Sequence, residues 1–129
     1  MHSIKVLSSI LILIAIIIIA SFWESKTLDS SSKKIEEQIK LATSYSINEN
    51  WLEAKKHLSL LERDWSQISN SWTLLLDHIE IDNIENSLSR AKQYIEFKDK
   101  ALALGELANL KQYVTHIPKK ESFNLTNIF

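Results

Sequence analysis

VLSSILILIAIIIIASFW, residues 6–23, carries no charged side chain, and every residue from Ile10 to Ala20 is aliphatic. As a helix, at 1.5 Å per residue, such a run spans about 27 Å, close to the hydrocarbon thickness of a bilayer. Lipid offers no partner to backbone N–H and C=O groups, and a helix satisfies them within itself. The stretch therefore predicts a single transmembrane helix over 6–23, behind a short flank over 1–5. A cleaved signal peptide is the rival reading, but its apolar core is about 7–15 residues long and gives way to small residues. Here the run is longer and ends in Phe22-Trp23, bulky aromatics suited to an interface. No Cys follows it, which excludes a lipoprotein.

The charges around this segment point in two directions. Lys5 and the free amine stand before it; Lys26, Lys33 and Lys34 follow it, diluted by Glu24, Asp29, Glu36 and Glu37. The positive-inside rule alone leans toward a cytoplasmic domain, whereas a short N-terminus before one apolar run behaves as a signal anchor. The second argument places the downstream domain outside the cytoplasm, on the cell membrane as a single-pass protein.

Composition narrows the remainder. The chain has 129 residues, room for one domain beyond the anchor. A net charge of -1 gives no field for nucleic acid. Gly105 and Pro118 are the only residues of their kinds, which argues against sheet corners and for long helices. The lack of Cys removes disulfides, thiol nucleophiles and Cys-ligated metals. No nucleophile–base–orienter set stands out, so no enzyme is expected and no cofactor is required.

Working outward from the anchor, residues 24–32 read as a juxtamembrane joint whose Ser30-Ser31-Ser32 supplies N-cap material. A helical domain is expected over 33–118. Ile35, Ile39, Ala42 and Tyr45 mark its first helix, and Asn48-Glu49-Asn50 a turn. Trp51, Ala54, Leu58, Leu61, Trp65 and Ile68 alternate three and four apart, a narrow stripe for helix packing. Ser69-Asn70-Ser71 loosens the pattern. Ile81, Ile84, Leu88, Ala91 and Ile95 carry a third helix, which reaches back as far as Trp72 at its earliest, and Lys98-Asp99-Lys100 a second turn. Ala103, Leu107, Leu110 and Val114 form the fourth helix, which Pro118 is expected to stop. The tail over 119–129 ends in Phe123, Leu125, Ile128 and Phe129.

Sliding the chain by 49 residues lays Ile35 on Ile84, Ile39 on Leu88, Ala42 on Ala91 and Tyr45 on Tyr94. The same shift lays Asn50 on Asp99, Ala54 on Ala103, Leu58 on Leu107 and Leu61 on Leu110. Both helices and the turn between them match, which indicates an internal repeat. The expected fold is all-α: an N-terminal transmembrane helix followed by a four-helix domain of two similar antiparallel hairpins, 33–68 and 79–117. Gly105, in mid-helix, reads as a close approach of another helix or as part of a partner groove.

Candidate chemistry is sparse. His78, Asp82 and Glu85 share a helical face, and Asp77 falls on the apolar stripe of Leu74, Ile81 and Ile84. If the third and fourth helices fold back about Lys98, His116 comes opposite His78. Two imidazoles and a carboxylate suit a divalent metal, with His78, Asp82 and His116 as ligands. The plainer reading is a hydrogen-bonded network that ties helices together. The tryptophans read mostly as packing; Trp65 and Trp72 as a binding platform is the sharper alternative. His57 and Lys55-Lys56 read as a solvated face. The tail either docks on the bundle or offers Phe123 and Phe129 to a partner.

Taken as a set, Asn50-Trp51, Ala54, Trp65, Trp72, Asp77-His78, Glu80-Ile81-Asp82, the Leu88–Tyr94 helix, Ala103 to Leu110, His116-Ile117-Pro118 and Asn127-Ile128 resemble the bacterial domain-of-unknown-function family numbered 4363. The resemblance covers nearly the whole chain. It implies a small membrane protein of Firmicutes, linked to spore formers and the cell envelope, with no established activity. It also implies that Asp77, His78, Asp82 and His116 belong to one pattern. Two functions follow as expectations. One is a membrane-anchored interaction or scaffold protein whose partners are the lipid bilayer and another membrane protein. The other is a tethered metal or ligand sensor built on the His78/Asp82/His116 cluster.

Overall fold

The computed structural model describes residues 1–73 and 76–128; the side chains of 24–25, 27–29 and 117–128 fall outside that description. Among the described residues there are four helices and no strand: α1 (His2–Ile47), α2 (Trp51–Thr73), α3 (His78–Glu96) and α4 (Lys100–Ile128). α1 packs on α2 and on α4, α3 packs on α4, and α2 meets α3 over a smaller interface. The result is an up-down-up-down bundle of two antiparallel hairpins, as the apolar periodicity predicts.

The duplication extends to the backbone. Among the described residues, Glu49 and Lys98, 49 positions apart, are the two non-glycine residues with positive φ, at 56° and 58°. In the first turn the Asn50 N–H donates to the Tyr45 carbonyl and the Glu49 N–H to that of Ser46; in the second, Asp99 donates to Tyr94 and Lys98 to Ile95. Each pair is a Schellman motif, with a left-handed residue closing the helix. The residue after it then caps the next helix: Asn50 Oδ1 accepts from the Glu53 N–H at 3.4 Å, and Asp99 Oδ1 from that of Leu102 at 3.1 Å.

The core repeats in the same way. Ile35, Ile39, Ala42, Ala54, Leu58, Leu61 and Trp65 are buried, and so are their counterparts Ile84, Leu88, Ala91, Ala103, Leu107, Leu110 and Val114. Two further buried positions pair a serine with an isoleucine, Ser32 with Ile81 and Ser46 with Ile95. Ser46 returns its hydroxyl to the Ala42 carbonyl at 2.8 Å, within its own helix. Ser32 reaches across the bundle.

That reach explains a difference from expectation. Pro118 does not end the fourth helix, which runs on to Ile128. A proline lacks the N–H that would bond to the carbonyl four residues earlier, here that of Val114. The Ser32 hydroxyl donates to that carbonyl at 3.1 Å. The group orphaned by Pro118 is thus satisfied from α1.

A second difference concerns residues 24–32, expected as a joint. They lie inside α1, a single helix of 46 residues, roughly 69 Å long. Nothing there breaks a helix: serine costs only about 0.5 kcal/mol against alanine, and the stretch holds no glycine or proline. Apolar segment and first bundle helix are one rod. Gly105 also departs from expectation, since it is exposed and a Cβ built on it would meet nothing within 4 Å. No helix approaches closely there.

Two outcomes are expected in urea unfolding followed by circular dichroism in detergent. Ser32→Ala costs about 1–3 kcal/mol by stranding a buried carbonyl, and Pro118→Ala, which restores the missing N–H, shrinks that cost. Gly105→Ala stabilises by up to about 1 kcal/mol, and Glu49→Gly and Lys98→Gly each by about 0.5–1 kcal/mol through relief of the left-handed backbone.

Candidate membrane-facing surface

The free half of α1 is a long, exposed apolar surface. His2–Trp23, a stretch of 22 residues, is long and apolar enough to cross a membrane, and none of its most apolar window is covered by the bundle. Two of its polar side chains are satisfied locally: the Ser8 and Ser9 hydroxyls donate to the Ile4 and Lys5 carbonyls, both at 2.9 Å. Such i–4 bonding lets serine sit in an apolar helix without an unpaired hydroxyl. At its bundle end Phe22 and Trp23 are 77% and 69% exposed. An open groove of about 710 Å³ runs from Ile18 past Phe22, Trp23 and Lys26 to Ser31, mostly apolar with one cationic rim.

The expected metal ligands are not brought together. His78, Asp82 and His116 are each exposed, and among the described residues no three His, Cys, Asp or Glu side chains form a group able to hold a metal ion. The reason lies in helical phase. Ile81 and Val114 define the inward directions of α3 and α4; Asp82 is turned about 100° from the first and His116 about 200° from the second. Asp77 is not part of a helical stripe but the N-cap of α3, with extended backbone and no side-chain cap bond. Its carbonyl accepts from the Glu80 and Ile81 N–H groups at 3.1 and 3.3 Å.

Trp65 and Trp72 are not a platform. They are buried to 4% and 1% exposure and meet edge to face, with centroids 5.5 Å apart and an interplanar angle of 86°. The packing reading of these two residues is the one the geometry supports. Among the described residues neither buried indole Nε1 atom has a hydrogen-bond partner, and a buried N–H left so costs about 1–3 kcal/mol. The side chain of Phe123, and Phe129 altogether, lie outside the described residues.

Several polar groups were invisible to periodicity. His57 is no solvated side chain: its ring stacks on Tyr45 at 5.2 Å and 10°, and Nδ1 lies 3.3 Å from Gln38 Oε1. The same 49-residue shift carries Gln38 and His57 onto Ser87 and Glu106, where the Ser87 hydroxyl donates to the Glu106 carbonyl at 3.4 Å. Each hairpin therefore holds one polar crossing at the same height. Glu106, nearly buried, accepts from Arg90 through Nε at 3.0 Å and Nη2 at 2.9 Å, and this raises the Arg90 pKa further. Asp64, 95% buried by side chain, lies 3.9 Å from Lys34 Nζ and 3.8 Å from Arg63 Nη2. Across the α2–α3 seam, Lys55 Nζ bonds Glu96 at 2.8 Å and holds that carboxyl below the usual range. The signal available beforehand was the repeat itself: laying Ser32 on Ile81 would have marked a polar residue in a core position.

Fold and surface together define a class, a duplicated helical-hairpin bundle carried on a long apolar helix. The chain belongs to the family described as Domain of unknown function (DUF4363), whose profile matches residues 22–128. No curated protein and no solved structure matches the chain.

The tryptophan pair sets a test of the packing account. Trp72→Ala is expected to cost about 3–5 kcal/mol in urea unfolding. Trp72→Phe keeps most of the ring, removes the buried indole N–H, and should cost less than half as much.

Proposed function

We propose that this chain is a membrane-anchored interaction or scaffold protein of the bacterial cell envelope. His2–Trp23 crosses the bilayer and the bundle stands outside the cytoplasm, where it engages another membrane protein. The observation that carries this reading is α1: one uninterrupted helix whose first half is apolar and bare and whose second half is built into the core. A rod of this kind holds the domain at a set height and angle, which suits a spacer or docking element.

Exposed apolar side chains support a binding role. Both hairpin turns lie at the end of the bundle remote from the apolar half of α1, and there Leu52 is 78% and Phe97 81% exposed, with Ile47 at 50% and Leu102 at 51%. Isolated exposed apolar residues are ordinary, but four gathered at two neighbouring turns make a contact surface.

Membranes from cells expressing the chain test the proposal. The protein should stay in the pellet through alkaline carbonate and leave it only with detergent. A membrane-impermeant thiol reagent on intact cells should label Phe97→Cys in this otherwise thiol-free chain. A photo-crosslinker at Leu52 or Phe97 should give one discrete adduct with a membrane protein. Release by carbonate refutes the anchor, protection from the reagent refutes the orientation, and a chain without a discrete adduct refutes the scaffold role.

A further inference from the structure

Around the bundle the helices neighbour one another in the order α1, α2, α3, α4 and back to α1. At the tip, the end remote from His2–Trp23, the two hairpin turns form opposite edges of this square. The α2–α3 and α4–α1 seams form the other two. Lys55 and Glu96, bonded at 2.8 Å, pin the first seam. Leu52 stands one helical turn before Lys55 and Phe97 directly after Glu96, so the two exposed side chains flank the end of that seam. The second seam joins the end of α1, which carries Ile47, to the first turn of α4, which carries Leu102. These two are exposed as well.

The turns are copies in backbone and opposites in charge. Their left-handed residue is Glu49 in the first and Lys98 in the second. Asn48-Glu49-Asn50 carries one negative charge, whereas Lys98-Asp99-Lys100 sets two lysines against an aspartate that is engaged in capping Leu102. Glu49, Lys98 and Lys100 are exposed, and among the described residues none of the three holds an ion pair.

A tip of this pattern is complementary to itself. A second copy can be turned over about a two-fold axis that lies in the plane of the tip and crosses both seams. Each turn then faces the other turn of the second copy, and one patch serves both partners. Glu49 meets Lys98, Leu52 meets Phe97, and the end of α1 with Ile47 meets the start of α4 with Leu102. An axis crossing the turns instead would set Glu49 on Glu49 and Lys98 on Lys98, which like-charge repulsion opposes.

We propose that the partner of the tip is a second copy of this chain, bound head to head from a facing membrane. The inference rests on the anchored reading of His2–Trp23 and on the tip as a contact surface, and it names the occupant. The two rods then point away from each other. From Trp23 to Ile47 helix α1 rises about 36 Å, so a pair holds two bilayers roughly 70 Å apart. Four helices of about 10 Å diameter present an end of about 400 Å², or about 800 Å² for the pair. That is below the roughly 1,200 Å² of a stable complex, so single pairs are weak and many copies between two membranes act together.

The full-length chain in phosphatidylcholine vesicles tests this, since neutral lipid offers the tip lysines no competing charge. Flotation checks insertion, circular dichroism checks folding, and light scattering reads clustering. Wild-type vesicles should cluster. Glu49→Lys alone or Lys98→Glu alone should cluster roughly tenfold less, because attraction at both turns becomes repulsion. Mixing the two variant populations should restore clustering, since every facing pair is then of opposite sign. A photo-crosslinker at Leu52 should give an adduct of doubled mass, joined beside Phe97 of the second copy. Wild-type vesicles that stay dispersed, variants that cluster alone as well as the wild type, or an adduct joined at Leu52 of the second copy each overturn the pairing. In native membranes, an adduct with a different protein only overturns self-pairing and leaves the tip a contact surface, whereas no adduct overturns both. A chain that does not float with the vesicles overturns the anchored reading, and the bridge with it.

Discussion

The hydrogen bond from the Ser32 hydroxyl to the Val114 carbonyl joins the first helix of the bundle to the last. In sequence the two residues stand at opposite ends of the domain. The bond answers a deficit created by Pro118, and it does so at a core position where an apolar side chain would pack but could not donate. With it, α4 passes its proline and continues to Ile128; without it, a buried carbonyl loses its partner. The pairing sits within the α1–α4 interface that closes the bundle.

The two hairpins are copies, and the places where they differ are informative. At the turns they are alike down to the left-handed residue and the cap that follows. Toward the other end the counterparts diverge: Ser32 against Ile81, Trp65 against Val114, and Trp72 packed on Trp65 beyond the repeat. That end is where α1 leaves the bundle as an apolar rod and where α4 continues. A duplicated domain needs identical turns to close each hairpin, but only one copy carries the rod, so that end had to change.

The bundle's surface holds ion pairs where little apolar area is shared. The α2–α3 seam is bridged by Lys55–Glu96 and Lys92–Glu62, the first at 2.8 Å and the second at 3.5 Å. Exposed pairs of this kind contribute little to stability. The cohesion lies in the two hairpin interfaces and in α1 against α4.

The sequence by itself determined the helices, the long apolar N-terminal segment, the repeat and nearly every core residue, because periodicity of three and four encodes which side of a helix is buried. It also led to the expectation that His116 lies across from His78, yet height is not direction. Whether two side chains converge depends on the rotation of each helix about its axis, which packing sets. Hence His78, Asp82 and His116 face solvent, while His57, read as solvated, stacks on Tyr45. Tertiary structure also decided what the two apparent breakers do. The serines at 30–32 and Pro118 carry local preferences of about 0.5 and 3 kcal/mol against alanine, small enough for a neighbouring helix to override. Only the pairing of α1 with α4 could reveal that each answers the other: the serine cap signal is a donor, and the proline stop is a helix that needed one.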